Sequence, residues 1–195
     1  MEAQNYRGRD ESASSQGQVL MAKEKIDPEL LSAYKTQTGQ SLGELSKQRP
    51  VLLVFLRHFG CTFCRESVAE IKKIRNEIEA KGTQLAFVHL GDSDEKAQKF
   101  FTPYGFQEIP RFADPEGRLF QSFGLVRGNW RAYLNYESIL RTLIAWLEGH
   151  WIGMPAGDVQ RMPGTFLIQN GEIRKAFRHK LVSDRPDYLE LASPV

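Results

Sequence analysis

The sequence predicts an α/β domain, a central mixed sheet flanked by helices, and three stretches predict it. Val51–Leu56, VLLVFL, is an unbroken aliphatic and aromatic run, as expected of a strand buried on both faces at the centre of a sheet. From that run to Phe101, strand and helix patterns alternate with short links, which implies parallel pairing. Near the end, Asn170-Gly171 separates Gly164–Gln169 from Glu172–Arg178, a strong antiparallel hairpin signal.

The 195 residues suit one domain with extensions. A hydrophobic fraction of 41% and a charged fraction of 26% are those of an ordinary globular chain with enough apolar mass for a core. The 26 basic residues nearly balance the 24 acidic ones, and no basic stripe marks a nucleic-acid partner. No run approaches the roughly 18 apolar residues of a membrane span. The first twenty residues carry no apolar h-region. With only two cysteines in the chain, the expected setting is reducing and cytoplasmic.

In chain order, residues 1–22 are polar, rich in Ser, Gln and Gly, and read as a disordered tail; residues 23–195 read as the domain. Asp27-Pro28 has the chemistry of an N-cap and first helical position, opening a helix to about Thr36 with Leu30, Leu31 and Tyr34 on one face and Gly39 ending it. Residues 41–50 read as a polar connection anchored by Leu42 and Leu45. After the first core strand come Arg57, His58, a turn at Gly60, and Cys61 and Cys64. Val68, Ile71 and Ile78 then recur at helical spacing until Gly82. A strand is expected over 84–90, then a helix over 95–101 capped by Asp92 or Ser93. Residues 109–113 read as a short strand, and Leu119, Phe120 and Phe123 as a short helix stopped by Gly124. Within 126–160, Tyr136, Ile139, Leu143 and Leu147 make a helical stripe among Trp130, Tyr133, Trp146 and Trp151. A short helix near 186–191 closes the chain.

The chemistry is expected at Cys61 and Cys64. The loop closed by a Cys-x-x-Cys disulfide is too short to constrain much of the unfolded chain, so a structural staple is a poor explanation. A metal centre needs about four ligands, and this pair supplies two. Redox chemistry fits the context. A strand feeds by a short turn into a helix whose first turn carries the sulfurs, where free N–H groups and the positive dipole end favour a thiolate. Arg57, His58 and Arg65 add positive charge. Elsewhere, His89 reads as a core histidine, His150 and His179 as surface ones, and Arg111 as a weaker candidate for polarising a bound peroxide.

Several motifs carry a family resemblance: Gln40-Ser41-Leu42, Val51 to Phe55, Cys61 and Cys64, Gly91-Asp92-Ser93, the run from Phe112 to Gly117, and Phe123-Gly124-Leu125. On these the chain resembles the thioredoxin superfamily, most closely the peroxiredoxin-like proteins of the alkyl hydroperoxide reductase/thiol-specific antioxidant type. RHFGCTFCRE is similar to the selenoprotein-L-type branch. The resemblance implies a thioredoxin-like fold, makes 126–160 a helical insertion before the last hairpin, and makes Pro163 a candidate cis-proline facing the sulfurs. Laid on Cys64, the peroxiredoxin pattern Pro-x-x-x-Thr-x-x-Cys sets Arg57 at the proline and Cys61 at the threonine. In the thioredoxin pattern Cys61 is the exposed attacking sulfur, whereas in the peroxiredoxin pattern Cys64 meets the peroxide. Access and free N–H donors at the outermost helix position favour Cys61.

The expected function is a thiol oxidoreductase cycling Cys61 and Cys64, with His58 as proton shuttle or thiolate stabiliser. It would reduce a peroxide or a protein disulfide and draw electrons from an external thioredoxin- or glutathione-type thiol, with no bound cofactor. The alternatives are a redox-switched binding module and copper delivery through the same cysteines. Oligomeric state is not legible.

Overall fold

A computed structural model describes residues 18–125, 127, 161–181 and 183–195. Among them, six strands form one mixed sheet in the order β1-β6-β5-β2-β3-β4. The strands are β1 (Leu20–Lys25), β2 (Val51–Leu56), β3 (Gln84–His89), β4 (Arg111–Ala113), β5 (Gly164–Gln169) and β6 (Glu172–Arg178). β2, β3 and β4 run parallel; β5 pairs antiparallel with β2, and β6 with both β5 and β1.

β2 is buried at every position, and its period-two alternation divides the interior into two cores. Val51, Leu53 and Phe55 face Leu42, Leu45, Leu119, Phe120 and Phe166, whereas Leu52, Val54 and Leu56 face Val68, Ile71, Phe101 and Leu191. The first core is tied by aromatic contacts, with Phe55 ring centroids 4.9 Å from Phe120 and 5.4 Å from Phe166 at edge-on angles. The helices are α1 (Pro28–Ala33), α2 (Leu42–Gln48), α3 (Thr62–Ala80), α4 (Asp94–Phe101), α5 (Arg118–Ser122) and α6 (Tyr188–Leu191).

Four expectations are corrected here. The disordered tail expected over 1–22 does not extend to 20–22, because Leu20–Lys25 pairs with β6 and forms the sheet edge. α1 stops at Ala33 rather than near Thr36; the chain turns extended at Tyr34, and Lys35 bridges to Ser41. Residues 41–50 contain a helix, α2, not a mere connection. Its start is a capping box: the Ser41 hydroxyl accepts the Glu44 N–H at 3.2 Å, and the Glu44 carboxylate accepts the Ser41 N–H at 2.7 Å. Finally, the peptide bond before Pro163 is trans. Pro163 stands at the start of β5, where an absent N–H breaks no ladder bond, and its carbonyl accepts the His179 N–H at 3.3 Å. The helical stripe expected within 126–160 lies outside the described residues apart from Arg127, which bridges to Arg161.

The hairpin is as expected. Asn170 and Gly171 both take positive φ, 53° and 76°, which matches the right-handed twist of the flanking strands.

Candidate active site

The site lies where β2 hands the chain to α3. Cys61 is the N-cap of α3 in extended geometry, with no side-chain capping bond. Its N–H donates to the His58 carbonyl at 3.0 Å, closing the turn, and its carbonyl accepts the Arg65 N–H at 3.1 Å as the first helical bond. Cys64 starts the buried stripe that continues through Val68, Ile71 and Ile78. Helical periodicity alone thus places the second sulfur inside the protein.

Arg57 follows the last residue of β2 and is only 6% exposed. Its Nη2 donates to Cys61 Sγ at 3.0 Å. A hydrogen bond from the Cys64 thiol holds Cys61 well below the ordinary thiol range against the opposing effect of burial, and the charges of Arg57 and His58 add to it. The same bond, with burial, pushes the Cys64 thiol well up. The pair is therefore polarised, with one sulfur a stabilised thiolate and the other its proton-bearing donor. Both cysteines are free and each is 4% exposed, so the exposed position expected for Cys61 is not what the fold builds. The helix N-cap sits beneath the end of β5 and the C-terminal segment instead.

His58 is buried rather than solvent-facing. Burial lowers its pKa, with Arg57 acting in the same sense and Cys61 opposing. Its Nδ1, like Thr62 Oγ1, is buried with no hydrogen-bond partner. Pro163 does stand at the sulfurs, lining the same small cavity as Arg57, Cys61 and Cys64. That cavity measures about 10 Å³, room for about one water-sized molecule.

Among the cavity residues not foreseen are His179, Arg185 and Tyr188. His179, expected on the surface, is buried and stacks edge-on against Phe177 at 5.0 Å. Continuing the β6 alternation from Phe177 would have found it. Arg185 and Tyr188 come from beyond the last strand, where nothing local points to them. Arg111 is not part of the site. Its guanidinium is taken up by Asp94, Gln98 and the Gln107 carbonyl at 2.7–3.0 Å. His89 is the buried core histidine expected, packed 5.0 Å from the Phe59 ring. Among the described residues no group of three or more His, Cys, Asp or Glu could hold a metal ion, and no helix is long and apolar enough to cross a membrane.

A mixed sheet with a cysteine pair opening the helix after its central strand defines a peroxiredoxin-like protein of the thioredoxin superfamily. The chain belongs to the AhpC/TSA family, whose model matches residues 27–176. Over 109 residues it is 34% identical to a prostamide/prostaglandin F synthase of Salmo salar, covering 55% of this chain and 53% of that protein. Over 160 residues it is 27% identical to peroxiredoxin-like 2A of Rattus norvegicus, covering 78% of this chain and 65% of that one. The chain spans about half the length of the first curated relatives it matches. The crystal structure of reduced Prx3 from Vibrio vulnificus superposes with a TM-score of 0.61 at 14% identity, over 90% of this chain and 99% of that chain, a likeness of fold.

Proposed function

We propose that the protein is a thiol peroxidase in which Cys61 attacks a small hydroperoxide and Cys64 resolves the product. The observation that carries this reading is the buried Arg57 Nη2 at 3.0 Å from Cys61 Sγ. A guanidinium at that distance keeps the sulfur ionised in a place where an unpaired charge would be costly. The Cys61 thiolate attacks one peroxide oxygen, the O–O bond breaks, and the departing alkoxide takes a proton to leave as alcohol, giving a Cys61 sulfenic acid. The Cys64 thiol then displaces hydroxide, which leaves as water with the Cys64 proton, and the disulfide forms. Two equivalents of an external thiol restore the dithiol and leave as their own disulfide. His58, with its Nδ1 unpartnered, is the proton carrier beside Cys61. Pro163 supplies an apolar wall.

AhpC/TSA membership supports thiol-dependent reduction in general. The burial of both sulfurs favours a small peroxide over a protein disulfide. The small number of cysteines, two in the chain, suits a reducing, cytoplasmic setting. A second reading follows from the relatives named prostamide/prostaglandin F synthase: the same pair reducing a prostaglandin-class substrate. The test is consumption of hydrogen peroxide, an alkyl hydroperoxide and a prostaglandin endoperoxide with dithiothreitol as donor. The proposal expects turnover of the small peroxides, abolished in Cys61→Ser. Insulin disulfide reduction without peroxide turnover, or turnover of the endoperoxide alone, contradicts it.

A further inference from the structure

We infer that Arg185 is a gate over the cysteine pair, setting the size of the reagent that reaches the sulfurs; the inference rests on the thiol chemistry proposed above. Residues 183–192 form a strap that crosses α3 and ends in α6. At the cysteine end Arg185 ties it to α3. Arg185 Nη2 hydrogen bonds the Glu66 carboxylate, Nε stands 3.7 Å from Glu70 Oε2, and the guanidinium lies 5.8 Å from the Phe63 ring centroid. Glu66 and Glu70 are one turn apart on α3, the helix whose first turn carries Cys64, so the arginine grips the same rigid element that positions the sulfur.

The far end of the strap is held separately. Thr83 Oγ1 donates to the Ala192 carbonyl at 2.6 Å, and Lys175 Nζ donates to the carbonyls of Glu190 and Ser193 at 2.7 and 2.9 Å. Breaking the Arg185 tie therefore frees the stretch beside the cysteines while α6 stays docked. That stretch matters because Arg185 walls the cavity that touches both sulfurs, beside Tyr188 of the docked α6. With the strap down, the site holds about one water-sized molecule and each cysteine is 4% exposed. A peroxide oxygen fits; a dithiol reductant or a bulky hydroperoxide requires the strap to lift. The carboxylate side of the tie is partly solvated, with Glu66 and Glu70 side chains 27% and 46% exposed. Salt therefore screens it.

The experiment labels the reduced full chain with a small reagent, iodoacetamide, and a large one, a polyethylene-glycol maleimide, and locates the label by peptide mass. Arg185→Gln is compared with Glu66→Gln/Glu70→Gln, which cuts the same tie from the other side and keeps the test alive if one variant misfolds. The gate predicts maleimide labelling roughly tenfold faster in either variant, with iodoacetamide changed by less than about threefold. In the wild type, added salt speeds the maleimide alone. Unchanged maleimide rates, or equal acceleration of both reagents, overturn the gate. Size-dependent labelling without any peroxide turnover would overturn the function proposed above and leave the gate standing; turnover with size-independent labelling would do the reverse.

Discussion

Arg57 is the residue on which the proposed chemistry depends. It occupies the first position past the central strand, and a strand buried at every position delivers its guanidinium into the interior rather than to solvent. There its Nη2 meets Cys61 Sγ, while the Cys64 thiol donates from the helix. Cys64 rises well above the ordinary thiol range as Cys61 falls well below it, which supports the proposed attack by Cys61 and resolution by Cys64. Arg57→Met keeps the apolar stem and removes the donor. A hydrogen bond to a charged group contributes about 1.5–3 kcal/mol, so the Cys61 pKa is expected to rise when the donor is removed. Thiolate absorbance against pH in the reduced protein measures this, and an unmoved titration would remove Arg57 from the account.

At the scale of elements, two strands end in buried histidines, and this couples the fold to pH. Burial holds His89, at the end of β3, at a pKa of about 4, and His179, just past β6, at about 3. Arg111 and Arg185 respectively act in the same direction. The unfolded chain titrates near 6.5. Above that value both states are neutral and the stability is fully present. As pH falls below it the unfolded state binds protons that the folded state refuses, so stability is lost toward the folded pKa values. By pH 5 the loss is about 2 kcal/mol for each histidine. Urea midpoints should fall between pH 7 and pH 5, and His89→Gln or His179→Gln should flatten the fall. A midpoint indifferent to pH over that range contradicts the assignment.

The elements also show what was legible in the chain. β2, the α3 stripe and the Asn170-Gly171 hairpin follow from periodicity and turn chemistry, which act over a few residues. α2 was equally local, since Ser41 and Glu44 stand at capping-box spacing, but its polar composition resembles a loop. Asp114 shows the opposite case. Its turn is readable, yet its carboxylate is a buried tie that accepts Tyr34 Oη at 2.7 Å and the N–H groups of Arg118 and Phe120 at 2.9 and 3.0 Å, joining segments 80 residues apart.

In the whole molecule, the site is made by convergence. β2 brings Arg57, α3 brings both cysteines, β5 brings Pro163 opposite them, and the segments after β6 close the cavity with His179, Arg185 and Tyr188. The cysteine pair and its neighbours were visible because they are contiguous in sequence. The burial of the sulfurs was not, because the covering residues lie more than 100 positions away and their contact depends on the antiparallel return of β5 and β6. This is also why Cys61 is buried rather than exposed, which supports the proposed preference for a small peroxide over a protein chain.

The assignment of the two sulfurs is tested most directly by treating reduced Cys64→Ser and Cys61→Ser with one equivalent of hydrogen peroxide and mapping the product by mass spectrometry with a sulfenic-acid trap. The account predicts one trapped oxygen on Cys61 in Cys64→Ser and none on Cys64 in Cys61→Ser. Sulfenic acid on Cys64, with Cys61 left unmodified in the reciprocal variant, would contradict it.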